Sequence, residues 1–261
     1  MKLNNVGAII PVRFNSKRLP GKVLLPIAGK INIERIIERL FLSVYIKKVV
    51  LAIPENDTNE ILDWYENWQY KNKRKKIKIY IGANNNLIGR CLKAAEKENL
   101  DIIIDLSQDL CFVDPAIVDI LVFRLKKYNA DYSSNVCTRS FPDGFDVQVY
   151  TKDIYKKIYS IIPKNHFSKK WTGWNIFYWR HDFDPQPRII NFEAQSKYYF
   201  PHWRLCLDTI EDQKIIENIY LNASKSKTYL CYQDIIKYIL SNKNILNKNK
   251  NIKSTKLEKE R

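Results

Sequence analysis

Short apolar runs alternate with segments whose apolar residues return at helical spacing, from the N-terminus to about residue 131. Few folds accommodate that pattern. The runs at 8–11, 49–54, 77–82 and 102–109 are nearly continuous, which reads as parallel strands covered on both faces. Between them, Ile33, Ile36, Ile37, Leu40, Phe41 and Val44 fall on one face of a first helix. Asp57 or Thr58 can cap a second, containing Ile61, Leu62, Trp64, Tyr65 and Trp68, and a third is predicted over 87–98. Asp114 and Pro115 supply an N-cap and a first-turn proline for a fourth helix ending near Tyr128. Strand, helix, strand units of this kind require right-handed crossovers. The expected fold is α/β, a three-layer α/β/α sandwich around a mostly parallel sheet.

Past Asp131 the alternation weakens. DYSSNV and DVQVY read as strands, 151–162 as a helix and 203–207 as a last strand. Asp208 then starts a large helix, with Asp208 and Glu211 forming a capping-box-like pair. Ile235, Ile236, Ile239 and Leu240 make a short terminal helix. The aromatic-rich stretch 163–200 is expected to form a small lobe over a substrate, or an antiparallel or dimerising arm, so a homodimer is possible. One domain is expected over 1–240, followed by a basic tail, 241–261, that frays.

A chain of 261 residues is long enough for a sizeable core. No apolar run approaches the ~20 residues of a membrane span, and the first strand begins with no signal-like segment before it, so a cytoplasmic location is expected. The five cysteines, odd in number and without a C-x-x-C, indicate neither a disulfide framework nor a zinc site. The net charge of +16 is concentrated in part in the tail, where seven basic side chains face two acidic ones. No basic-aromatic stripe, zinc finger or recognition helix accompanies it, so no specific nucleic-acid partner is expected.

The first predicted strand runs into a loop carrying Arg13, Ser16, Lys17, Arg18, Gly21 and Lys22. In open α/β sheets ligands sit beyond the carboxyl ends of the strands, and four cations at that position call for an anion. Arginine forks suit phosphate oxygens, lysine adds a point charge, and Gly21 lets the backbone come close. The loop has neither the spacing of an ATPase P-loop nor that of a dinucleotide binder. A nucleoside triphosphate fits the mixture; a solvated basic turn reversed at Pro20-Gly21 is the plainer reading. Asp109 and Asp208, each just beyond a predicted strand, are the candidate metal ligands.

The run R-x-x-S-x-R-L-P-G-K, here Arg13, Ser16, Arg18, Leu19, Pro20, Gly21 and Lys22, resembles the nucleotide-binding signature of the sugar-acid cytidylyltransferases. That group includes the CMP-KDO synthetases, the acylneuraminate cytidylyltransferases and the SpsF-like spore-coat branch, whose wording this sequence follows best. The resemblance extends through NNNLIGRCLKAAEK, DLSQDLCFVDP, FPDGFDVQVY, RLCLDTIED and YQDIIKYILSNKNIL, over roughly residues 6 to 246. It implies transfer of CMP from CTP to a sugar acid, with release of pyrophosphate, in surface polysaccharide synthesis. Arg13 and Lys22 would act in catalysis together with Asp109 and Asp208, which would hold Mg²⁺. Arg13, Ser16, Arg18, Gly21, Lys22 and Arg90 would bind the nucleotide, Arg90 being equally readable as a surface helical arginine. Asp143, Asp146, His166 and Arg204 would meet the acceptor, although PDGFD also reads as a turn capped by aspartate. The sequence departs from the family pattern at Asp105, Gln108, Cys111 and Gln148. Two rival readings remain open: a sugar-phosphate nucleotidyltransferase of the same architecture making an NDP-sugar, and a catalytically degenerate glycan-associated binding protein.

Overall fold

Strand β1 (Val6–Pro11) lies inside the sheet, with Ala8, Ile9 and Ile10 wholly buried. In the computed structural model, which describes residues 5–72, 77–173, 175–223 and 229–252, the chain passes from β1 through a two-residue ribbon, β2 (Pro26–Ile27) and β3 (Lys30–Ile31), into α1 (Asn32–Leu40). It continues through β4 (Lys48–Pro54), α2 (Asn59–Lys71), β5 (Ile77–Gly82), α3 (Leu87–Lys97), β6 (Ile102–Asp105), α4 (Pro115–Lys127), β7 (Tyr132–Ser134), β8 (Gln148–Thr151) and α5 (Lys152–Ile161). The last elements are α6 (Asn175–Tyr178), β9 (Ile189–Asn191), α7 (Ile210–Ala223) and α8 (Tyr232–Ser241).

Seven strands pair in the order β5-β4-β1-β6-β8-β7-β9. β1 is parallel to β4 and β6, β4 to β5 and β7 to β9, while β8 is antiparallel to β6 and β7. Alternate residues of the central strands serve two cores. Ala8, Ile10, Leu51 and Ile104 pack with α1, α2, α4, α7 and α8; Ile9, Val50 and Ile103 pack with α3 and α5. The fold is therefore the expected α/β/α sandwich with a mostly parallel sheet. Among the described residues no helix is long and apolar enough to cross a membrane. None of the five cysteines is in a disulfide.

The structure departs from the sequence reading at several points. The first helix ends at Leu40, and Val44, assigned above to its apolar face, is 78% exposed in the loop beyond. The strand predicted over 102–109 stops at Asp105, so Asp109 stands on a loop well clear of it. Residues 203–207 are not a strand. Only an isolated bridge joins Arg204 to Asp143, because the backbone bonds of this segment go to two different loops: Asp143 N donates to Trp203 O, Leu205 N to Asp143 O and Leu207 N to Asp109 O. The capping box of α7 is shifted by one residue. Thr209 Oγ1 accepts from Asp212 N at 3.3 Å, and Asp212 Oδ2 accepts from Thr209 N at 3.0 Å. Asp208 is thereby relieved of the capping duty.

The aromatic-rich region supplies β9, the edge strand parallel to β7, after a cluster built on His166, Phe167, Trp171, Tyr178 and Trp179. Within the tail expected to fray, Lys243–Lys248 form a 3-10 helix and Asn249 is buried. Residues 253–261 of that tail, and 73–76 of the basic turn before β5, lie outside the described residues.

Candidate active site

The cationic loop is held by residues far from it in sequence. As the chain leaves β1, Val12 N donates to Ala52 O at 3.1 Å and Arg13 N donates to Gln108 Oε1 at 2.8 Å. Ser16 N and Gly21 N both donate to Phe14 O, at 2.8 Å each, closing the loop on itself. Gly21 has φ +70°, a left-handed conformation that a side chain would strain. Asp57, read above as a helix cap, instead staples the loop: its Oδ1 accepts from Asn15 Nδ2 at 2.8 Å and its Oδ2 from Asn15 N at 3.1 Å. Ser16 is buried within this loop.

Asn32, at the start of α1 and fully buried, joins the loop to the one carrying Asp109. Its Nδ2 donates to Lys22 O at 3.0 Å and to Gln108 O at 2.9 Å, while its Oδ1 accepts from the Cys111 thiol at 3.1 Å. Two positions where the sequence departs from the family pattern, Gln108 and Cys111, are thus parts of the brace under the site.

Above the brace, Lys22 gathers the two predicted acids. Its Nζ donates to Asp208 Oδ1 at 2.7 Å, to Leu207 O at 3.1 Å and to Asp109 Oδ2 at 3.3 Å, so all three ammonium donors are used. Arg18 Nη2 reaches Asp208 Oδ2 at 2.7 Å from the partly exposed side. Arg204 Nη2 approaches the same oxygen at 3.0 Å and Asp212 Oδ2 at 2.9 Å, its Nε donates to Asp212 Oδ1 at 3.1 Å, and its Nη1 stands 3.6 Å from Asp143 Oδ2. Cys206 Sγ donates to Asp143 Oδ2 at 3.3 Å. Burial and the negative charge of Asp109 push the Asp208 carboxyl up, but Lys22 and Arg18 outweigh them and hold it below the usual carboxylate value. Burial alone would lower the Lys22 ammonium; Asp109 and Asp208 reverse that and raise it. Burial likewise opposes Arg204, whose guanidinium Asp212 and Asp208 hold well above its ordinary value. In Lys22, Asp208 and Arg204 alike the neighbouring opposite charges favour the charged form.

Lys22, Arg18, Asp109, Asp208, Arg204 and Asp143 therefore meet in one network, and the other candidates stand around it. The Arg13 side chain is exposed on the loop. Arg90 is not the surface helical arginine that its helix would allow: it is 6% exposed, its Nη1 donates to Ala83 O at 2.7 Å, and its Nε has no hydrogen-bond partner among the described residues. Burial and the neighbouring charge of Arg13 lower its guanidinium. Two arginines thus flank the loop on the side of β5 and α3. Asp146 is held by Arg139 in a two-pronged pair at 3.0 and 3.1 Å. His166 caps a short 3-10 helix, its Nδ1 accepting from Ser168 N at 3.2 Å, and its ring contacts are to Phe167, Tyr178 and Trp179. None of these contacts reaches Lys22.

Sequence reasoning missed Asn32, Asp57 and Asp212 as parts of the site. Asp212 carried a signal, the Thr209-x-x-Asp212 box; a single buried asparagine carries none. The other two departures from the family pattern, Asp105 and Gln148, are directly paired across β6 and β8 and face the α3 and α5 layer. Gln148 Oε1 accepts from Tyr132 Oη at 2.7 Å there, and burial pushes the Asp105 carboxyl up to about 7.

Asp109 and Asp208 are two buried carboxylates that converge on Lys22 Nζ, and such a pair would supply the one or two carboxylates that magnesium takes beside substrate phosphates and water.

A family model described as cytidylyltransferase matches residues 7–233. The spore coat polysaccharide biosynthesis protein SpsF of Bacillus subtilis is 24% identical over 237 residues, covering 85% of this chain and 89% of that protein. A 3-deoxy-manno-octulosonate cytidylyltransferase of Blochmanniella floridana is 28% identical over 246 residues, covering 90% of this chain and 92% of its own. Among solved structures, a cytidylyltransferase from Leptospira borgpetersenii superposes with a TM-score of 0.78 at 27% identity, covering 96% of this chain and 98% of that one. CMP:2-keto-3-deoxy-manno-octonic acid synthetase complexed with CTP shares the fold, with a TM-score of 0.61 at 17% identity over 83% of this chain and 98% of its own. With the family model spanning most of its length and the signature loop closed over two acids, this chain belongs to the cytidylyltransferase family.

Proposed function

We propose that this protein transfers CMP from CTP to a sugar acid or a related glycan precursor, releasing pyrophosphate, in the synthesis of a surface polysaccharide. The observation that carries the reading is the meeting of Lys22 with Asp109 and Asp208 directly beneath the cationic loop. The names of the relatives, a spore-coat polysaccharide protein and cytidylyltransferases of an octulosonate, support the acceptor class.

Transfer of a nucleotidyl group asks a protein for charge neutralisation and in-line positioning more than for covalent chemistry. The exposed Arg13 and the partly exposed Arg18 are placed to receive the triphosphate, with Gly21 allowing the backbone close. Arg90, buried near Arg13 with an unused Nε–H, binds the nucleotide from the α3 side of the loop. Lys22, its donors committed, holds Asp109 and Asp208 together so that their charges face the nucleotide at a fixed separation. Arg204 and Asp143 extend the same network toward the acceptor, Arg204 offering its charge to the carboxylate of a sugar acid. The acceptor hydroxyl oxygen forms a bond to the α-phosphorus while the bond to the bridging α,β-oxygen breaks; the hydroxyl proton passes to solvent and pyrophosphate departs. Asp109 and Asp208 would hold Mg²⁺, which when bound offsets negative charge on the phosphate oxygens.

Pyrophosphate release from CTP, measured against a panel of sugar acids and sugar 1-phosphates for wild type and Asp109→Ala, tests the reading. Release with a sugar acid that is lost in the variant is expected. Release only with a sugar 1-phosphate would make the product an NDP-sugar, and CTP binding without release from any acceptor would favour the degenerate binding protein.

A further inference from the structure

Asn249 lies beyond the residues that the family model spans, in a Lys- and Asn-rich segment from which Ile245 and Leu246 pack against the core. It is 3% exposed. Its backbone is fixed by Asn249 N donating to Leu246 O at 3.3 Å and Ile252 N donating to Asn249 O at 3.0 Å. From there its Nδ2 crosses to the centre of the molecule and donates to Arg204 O at 3.0 Å and to Asp212 Oδ1 at 2.9 Å.

Those two acceptors set the geometry of the site. Asp212 takes hydrogen bonds from Arg204 Nε and Nη2 and from the backbone N–H groups of Asp208 and Thr209, so it fixes both the fork of the arginine and the backbone of the acid. Arg204 in turn holds Asp208 Oδ2. We propose that Asn249 is a positioning residue for the nucleotide site: the C-terminal segment 243–252 acts as a strap that, through its side-chain amide, sets Arg204 and Asp212 and through them the carboxylate of Asp208. This rests on the reading of Asp208 as part of the CTP site. A carboxylate accepting five donors has its orientation over-determined, and a partner one step removed from a charged site commonly changes its affinity by tenfold or more. The neighbouring Asn247 is exposed and its side chain donates to Asn244 Oδ1 at 3.4 Å, away from Arg204 and Asp212, so it provides the control.

The test measures binding of a CTP analogue with a methylene in place of the α,β-bridging oxygen, by calorimetry with Mg²⁺. Hydrogen exchange of the Asp208 and Thr209 amides is followed in the same proteins, wild type, Asn249→Ala and Asn247→Ala. Asn249→Ala is expected to weaken analogue binding about tenfold and to speed exchange at both amides, with Asn247→Ala unchanged in each. Binding within twofold of wild type overturns the proposal, even if exchange accelerates, because the amide would then be a purely structural tie. If wild type itself does not bind the analogue, the proposed function fails, and exchange alone decides whether Asn249 positions Asp208: unchanged protection refutes it. Should Asn249→Ala unfold, Asn249→Ser is read in its place, and unfolding of both would overturn the proposal in favour of a general stabilising role.

Discussion

Lys22 and Asp208, separated by 186 positions in the chain, meet at 2.7 Å inside the protein, with 5% and 9% of their side chains exposed. Asp208 also receives Arg18 and Arg204, so its carboxylate is the point on which three cations converge. Asp208→Asn keeps the shape and removes the charge. Pyrophosphate release from CTP is expected to fall by about 10² to 10³ in kcat, the scale for loss of one preorganised charged group. A rate within tenfold of wild type would show that this convergence is structural only.

Lys22 itself is the larger risk to the fold. Replacing it with methionine leaves Asp109 and Asp208 facing each other without the ammonium between them, and removing one partner of a buried pair costs about 3–5 kcal/mol. A urea titration of Lys22→Met should show a loss of that order. Lys22→Met combined with Asp109→Leu removes the stranded charge as well, and should recover part of it. If the double variant is no more stable than the single, the buried charges are not the cause.

The cationic loop and Asp208 were legible because the information was local. Arg13 to Lys22 form one contiguous signature, and the β1 apolar run places it at a strand exit. What was hidden is long-range. Asn32 acts by tying Lys22 O to Gln108 O, 10 and 76 positions away, and Asn249 reaches Arg204 and Asp212 over 45 and 37. A side chain whose partners are backbone oxygens elsewhere in the fold leaves no periodicity to detect. Residues 203–207 misled for the opposite reason. Their continuous run of buried residues, Arg204 to Leu207, is strand-like, but their backbone bonds are divided between the Asp143 turn and the Asp109 loop, and no ladder forms.

Asp105 predicts a stability that depends on pH. It is 4% exposed, its Oδ2 has no hydrogen-bond partner among the described residues, and burial pushes its carboxyl up to about 7. With its value raised in the folded protein, the stabilisation is complete below the unfolded value of about 3.9 and is lost as pH rises through about 7. Asp105→Asn, which needs no proton to be neutral, should therefore be more stable than wild type at pH 8, by on the order of 3 kcal/mol, and the advantage should vanish near pH 4. Parallel thermal melts across that range check it. An advantage independent of pH would mean that Asp105 is already neutral throughout, or charged and paired.

Gly144 joins the fold to the chemistry. It has φ +120°, and a Cβ there would stand 2.5 Å from both the carbonyl carbon and the oxygen of Leu205 and 2.8 Å from Cys206 N. The atoms it meets are backbone, which cannot turn aside as a side-chain end could. Gly144→Ala must therefore displace the segment that carries Arg204 and Asp208. Strain at such a conformation together with overpacking is expected to cost about 3 kcal/mol. Because the displaced segment also places the acids, pyrophosphate release should drop more than tenfold in protein that is still folded. Gly29 separates the two causes, since it has φ +77° and nothing lies within 4 Å of where its methyl group would stand. Gly29→Ala should lose only the conformational part, about 1 kcal/mol, and keep its activity. Equal losses at the two positions would assign the effect to backbone conformation and remove the steric link between the PDGFD turn and the site.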